Sequence, residues 1–249
     1  MANEFYNLTP YNFVENNPLR FIDPDGMLST EVKDNGDGTY EVVGGDLEDG
    51  DKNIYVVDDD GNRVVDESGN DVTIGESLSI DSFYNYDNSG PGPGWYGTID
   101  LNSTEGADYL SGIYADPPGL VEYTLNADDY NFKDKGMGNL TGEAQLDHRY
   151  RGGIIQGGVI ASARDVGNIT AGYVAGVGGL DYETTRALFD TFSASRNTGL
   201  GISAYRNRNN NPDAPNSQRA QKYGWGLGYK QYWSNRAVRY WPDKGRSGN

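Results

Sequence analysis

The sequence contains no cysteine and only one histidine in 249 residues. The first absence excludes disulfides, thiolate nucleophiles and every cysteine-bound zinc or iron–sulfur site, so stability has to come from packing. The second leaves His148 as the one imidazole available for acid–base work near neutral pH. Long apolar runs are missing too: no window approaches the ~18 apolar residues of a membrane-spanning helix. The opening MANEFYNLTP has neither the basic nor the apolar region of a secretory leader, so export would rely on a larger or separate carrier. Positive charge is scarce over residues 1–145, where 6 Lys and Arg face 30 Asp and Glu; residues 146–249 reverse this with 14 against 7. An acidic front half repels nucleic acid, and a basic, arginine-rich back half attracts phosphates.

What is abundant is glycine, at 35 positions, which favours turns and hairpins over long uninterrupted helices. Residues 1–27 close on the turn Asp-Pro-Asp-Gly. From Thr30 to about Tyr86, stretches such as TYEVVGG and NIYVVDDDGNRVVDESGNDVTI alternate β-branched and polar residues between Asp-Gly and Ser-Gly-Asn turns, which predicts hairpins. The loop DDDGN, Asp58 to Asn62, lacks the ligand spacing and distal glutamate of a calcium loop and reads as a turn, with no metal expected. NSGPGPGWYG, residues 88–97, reads as a linker.

Beyond it the period changes. Tyr109, Leu110, Ile113 and Tyr114 share a helical face, a short apolar segment comes next at Leu120–Leu125, and Ser162 caps a helix with Val166, Ile169, Tyr173, Val174 and Val177 on one stripe. Gly167, Ala171, Ala175 and Gly176 leave another side of that helix bare enough for a second backbone to approach. Asp181 caps a helix whose predicted stripe is Tyr182, Thr185, Leu188, Phe189 and Phe192, and a further helix starts at Asn216 or Ser217. The expectation is an α+β chain with three parts: residues 1–27, an acidic β-hairpin region with its linker over 28–97, and a basic, α-rich, glycine-punctuated domain over 98–249.

YNLTPYNFVENNPLRFIDPDGM resembles the conserved end of the core of Rhs/YD-repeat proteins of the Bacteroidetes type, over roughly residues 5–27. The resemblance implies that the remainder of the chain is a variable cargo of a shell-forming polymorphic toxin. It also implies release by self-cleavage near Met27, with Asp23 and Asp25 as an aspartyl-protease-like pair of the intact parent. ASARDVGNITAGYVAG and SQRAQKYGWGLGY are similar to C-terminal domains attached to such cores, and at a distance to the polymorphic toxin type 44 family. That family is expected to contain nucleases acting on RNA. The resemblance implies secretion or delivery into a neighbouring cell, action in the target cytoplasm, a cognate immunity protein in the producer, and the Rhs shell as partner. Its terminal-helix element falls on Ser217, Gln218 and Gln221.

The residues offer two constellations for cutting RNA without a cofactor. His148 lies in LDHRYRGG between acid–base and phosphate-binding side chains, with Arg151 close in sequence. The Tyr-Arg-Gly of Tyr150–Gly152 matches the related domains better than the histidine does. Arg164, Asp165 and Asn168 have the spacing to share one polar side of a helix start, where a guanidinium, a carboxylate and an amide could position a phosphate or dress a structural cap. Ser217, Gln218 and Gln221, with Arg219 and Lys222, are the expected substrate-binding set. The tail YKQYWSNRAVRYWPDKGR interleaves cations and aromatics suited to stacking on bases or packing on a partner. Two other classes stay open. One is a cell-wall hydrolase using Glu143 with Asp165, and the other a non-enzymatic or decayed cargo.

Overall fold

The computed structural model describes residues 29–48, 50–86, 92–138, 140–198, 202–207, 209 and 212–240. The expected self-cleavage residues Asp23, Asp25 and Met27 lie outside the described residues. Seven strands form one sheet in the order β4-β3-β1-β2-β7-β8-β9. They are β1 (Thr30–Asp34), β2 (Thr39–Gly45), β3 (Asn53–Val56), β4 (Thr73–Glu76), β7 (Thr98–Asp100), β8 (Gly152–Ile154) and β9 (Ile160–Ser162). A separate two-stranded ribbon pairs β5 (Tyr84–Asn85) with β6 (Gly94–Trp95).

The sheet runs across the boundary drawn from the sequence at residue 97. The chain is α+β, but the strands do not stop at the expected linker. β7 pairs with β2, and β8 and β9 from the basic half extend the same sheet. Part of the linker itself returns as β6. The two outer edges also meet. Ser77, just after β4, forms a parallel bridge with Ile160 of β9, and the Leu78 amide donates to the Ile160 carbonyl at 2.8 Å. This single bridge nearly closes the sheet, and Val32, Val42, Ile54, Phe83, Ile99 and Ile160 form one buried cluster. Each such side chain contributes about 1.5–3 kcal/mol by leaving water. Gly152 belongs here for a steric reason, since a Cβ on it would stand 2.7 Å from the Phe83 ring.

Between β3 and β4 the chain makes the same turn twice. VVDDDGN and VVDESGN, starting at Val56 and Val64, repeat at a spacing of eight residues. In the first, Asp58 Oδ1 accepts from the amides of Asp60 and Asn62 at 3.0 and 2.8 Å. In the second, Asp66 Oδ1 accepts from Ser68 and Asn70 at 2.8 and 2.9 Å. Gly61 and Gly69 both take φ of +83°, a conformation that glycine adopts without the cost of a Cβ. The valines stack the two turns, with the Val64 amide donating to Val56 and the Val72 amide to Val64.

The helices are α1 (Glu105–Ala115), α2 (Leu120–Leu125), α3 (Phe132–Lys135), α4 (Glu143–Arg149), α5 (Ala163–Val177), α6 (Tyr182–Thr198), α7 (Ile202–Asn207) and α8 (Pro215–Tyr240). α5 opens on a capping box formed by Ser162 and Asp165, and its stripe of Val166, Ile169, Tyr173 and Val174 is buried as expected. α8 begins on a proline, whose missing N–H costs nothing in the first turn. α5 and α8 run parallel in backbone contact. A Cβ on Gly172 would stand 2.8 Å from the Gln221 carbonyl carbon, and one on Gly176 would stand 2.6 Å from the Tyr229 nitrogen. Gly224 and Gly228 repay this from the other side, against Ile169 and against Tyr173 and Val177. The close approach predicted for α5 occurs, on Gly172 and Gly176 rather than Gly167. The predicted stripe of α6 is corrected: Leu188 and Phe192 remain exposed, and Thr185 and Ala194 are the buried positions among its described side chains. A second core, including Leu78, Leu110, Phe132, Ile155, Val166 and Ile169, fills the space between the sheet and α5.

Candidate active site

The one histidine is 3% exposed and is held from two directions. Its Nδ1 lies 3.1 Å from the Lys133 carbonyl of α3, and its Nε2 lies 3.3 Å from Oε2 of Glu105, the first residue of α1. A carbonyl only accepts, so Nδ1 carries a proton. The Nε2–Oε2 contact then requires one further proton, on the ring or on the carboxyl. Glu105 and His148 are therefore in direct side-chain contact. The other carboxylate oxygen, Oε1, accepts from the Met137 amide at 3.0 Å. Gly136, at φ of +59°, makes that turn possible: a Cβ there would stand 2.8 Å from Glu105 Oε1 and 3.1 Å from His148 Nε2.

Packing fixes the ring. Phe132 meets it edge-on at a centroid distance of 5.2 Å, and α4 is tied to α3 by Arg149, whose Nη2 is 2.7 Å from Asp134. That guanidinium, with two hydrogen bonds to one carboxylate oxygen, holds the Asp134 carboxyl below the usual range against the opposing effect of its burial. A cavity of about 20 Å³ adjoins the couple, bordered by Ser103, Glu105, His148 and Arg151 over an apolar floor that includes Phe132 and Ile155. This is the room of about one water molecule. Arg151 comes two residues after the end of α4 and is exposed.

The second predicted constellation divides. Arg164 turns its guanidinium onto backbone carbonyls of the 79–84 turn, donating to Asp81, Ser82 and Tyr84 at 3.2, 3.3 and 3.1 Å. Asn216 of α8 donates to two of the same carbonyls, Asp81 at 3.1 Å and Tyr84 at 3.0 Å. Asp81 itself is wholly buried and receives Ser79, Tyr86 and Arg219. Asp165 is also wholly buried, and Oδ1 has no hydrogen-bond partner. Its burial pushes the carboxyl up to about 6, opposed first by the Arg164 charge and then by hydrogen bonds with Ser82 and Ser162. Asn168 faces α8 instead. It donates to Ser217 at 3.2 Å and accepts from Gln221 at 3.3 Å.

Of the predicted substrate-binding set, Ser217 and Gln221 thus meet Asn168. Gln218 instead donates to the Asp213 carbonyl at 2.7 Å, and Arg219 is engaged by Asp81. His148 makes no hydrogen bond to Arg164, Asp165 or Asn168. Glu143 is exposed on α4, while Asp165 is enclosed, so the two do not flank a common cleft. Glu105 was missed by sequence reasoning: 43 residues separate it from His148, and an acidic residue in a first helical turn reads as a partner of the helix dipole. Among the described residues no group of three or more histidine, cysteine or acidic side chains could hold a metal, and no helix is long and apolar enough to cross a membrane. No protein-family model, curated protein or solved structure matches the chain.

Proposed function

We propose that this chain is the effector cargo of an Rhs-type polymorphic toxin and that it cleaves RNA by metal-independent transphosphorylation. The observation that carries the reading is the Glu105–His148 contact, with Arg151 bordering the same cavity. In that reaction the Glu105 carboxylate takes the proton of the ribose 2′-hydroxyl as its oxygen attacks phosphorus. His148 gives its Nε2 proton to the departing 5′-oxygen, and Arg151 neutralises charge on the phosphoryl oxygens. The products are a 2′,3′-cyclic phosphate and a free 5′-hydroxyl. Delivery into a neighbouring cell, a cognate immunity protein and the parental shell belong to the same proposal, through the resemblance of residues 5–27.

The test is cleavage of single-stranded RNA by the purified full chain in the presence of a chelator. Cleavage leaving cyclic phosphate ends, reduced at least a hundredfold by Glu105→Gln and by His148→Asn in variants with unchanged circular dichroism, supports the proposal. Intact RNA with wild-type protein, or equal cleavage by the variants, overturns it.

A further inference from the structure

A second cleft, larger than the cavity beside His148, lies elsewhere on the molecule. It has a volume of about 500 Å³ and lies between segments 50–52 and 78–80, at the closed edge of the sheet, and the first half of α8. That volume falls in the range of small-molecule sites, about 300–1,000 Å³. Lys52, Arg219 and Lys222 line it together with Leu78, Ile80 and Tyr223. No one of these residues borders the Glu105–His148 cavity.

The charges are not equivalent. Arg219 is already neutralised by the wholly buried Asp81 carboxylate. Lys52 and Lys222 form no ion pair among the described residues, although Lys222 also lies 5.6 Å from the centre of the Tyr182 ring. Both lysines line one concavity in a chain whose net charge is −17. Two lysines on the wall of one cleft, with no carboxylate among its lining residues, favour an anionic ligand. Most of the remaining wall is apolar and includes a half-exposed aromatic ring, which suits a flat heterocycle. Ser79, also on the wall, is excluded as a ligand group because its hydroxyl already donates to Asp81.

We propose that this cleft binds a nucleoside 5′-monophosphate group, with the phosphate between Lys52 and Lys222 and the base against Tyr223, Leu78 and Ile80. The inference concerns binding and does not rest on RNA cleavage. The same group is offered by a free nucleotide and by the 5′-phosphorylated end of an RNA strand.

The experiment is calorimetric titration of the full-length Glu105→Gln chain, in which cleavage is disabled, with adenosine 5′-monophosphate, adenosine, inorganic phosphate and a 5′-phosphorylated oligoribonucleotide. Saturable one-to-one binding of the monophosphate is expected, at least tenfold tighter than either adenosine or inorganic phosphate. Lys52→Ala and Lys222→Ala should each weaken it about tenfold or more, and Lys222→Arg should retain it. Competition by the oligonucleotide would assign the strand end as the source, and its failure to compete would assign the free nucleotide; both are forms of the proposal. Absence of saturable binding at millimolar monophosphate, equal affinity for adenosine, or indifference to both alanine substitutions would overturn it.

Discussion

Two glycines on the same helix, Gly224 and Gly226, should respond to alanine in opposite directions. Both are helical, so each substitution gains about 0.8–1 kcal/mol of intrinsic helix propensity. At Gly226 that gain is free, because a Cβ there would meet nothing within 4 Å. At Gly224 the new carbon would stand 2.7 Å from the Ile169 carbonyl carbon and 2.9 Å from its Cα. Ordinary contact begins at 3.4 Å, so the shortfall is about 0.7 Å against rigid backbone, and it is larger toward the carbonyl oxygen. The helices can accept the methyl only by separating, which loosens the reciprocal contacts at Gly172, Gly176 and Gly228. Overpacking of a filled interior costs about 1–3 kcal/mol and at times more, and backbone-on-backbone overlap belongs at the upper end. Gly224→Ala should therefore lose about 2 kcal/mol net or more, while Gly226→Ala gains about 0.5–1 kcal/mol. For a chain of this size each kcal/mol moves the midpoint by about 2–4 °C. Parallel thermal and urea unfolding of the two variants is the assay. Equal shifts, or a stabilised Gly224→Ala, would refute the claim that α5 and α8 touch through bare backbone.

The buried polar groups lead to two further outcomes. Asp165 has a folded-state value of about 6 against an ordinary 3.8, so between these values the folded state holds the extra proton and stability falls as pH rises. The stability of Asp165→Asn relative to wild type should consequently climb by about 2 kcal/mol from pH 4 to pH 7; a flat difference in urea titrations across that range would exclude the effect. Asn216→Ala leaves the Asp81 and Tyr84 carbonyls each short of a donor, and should cost about 1–3 kcal/mol. Amide exchange at Tyr84 and Tyr96, which are close to this clamp, should quicken more than at Val64 and Val72, and uniform exchange rates would argue against a local clamp.

The helices were legible because their signals are local. Ser162 and Asp181 announce the starts of α5 and α6, and the spacing of Val166, Ile169 and Tyr173 marks the buried side of α5. The same logic failed on α6, where Leu188 and Phe192 have the right spacing yet face solvent; periodicity identifies a side of a helix, not the presence of something to cover it. Strands β7, β8 and β9 escaped because three residues such as Gly-Gly-Ile carry no alternation to detect. With them went the joining of the acidic and basic halves. In the candidate site His148 and Arg151 stood out by residue type, whereas Glu105 is linked to them only through the folded chain. The spacing argument grouped Arg164, Asp165 and Asn168, but their side chains leave the helix toward the 79–84 turn, the protein interior and α8 respectively.

The seam between Leu78 and Ile160 gives the chain a built-in order of completion. During synthesis the first four strands emerge early, yet the last strand that encloses their apolar side is translated more than eighty residues after β4. Until residue 162 has left the ribosome, Val32, Ile54 and Phe83 have no finished enclosure, and ring closure over that length is entropically slow. A truncation anywhere between β4 and β9 would thus yield not a smaller working domain but an open sheet with two sticky margins. The nascent front half would expose those margins until translation is complete.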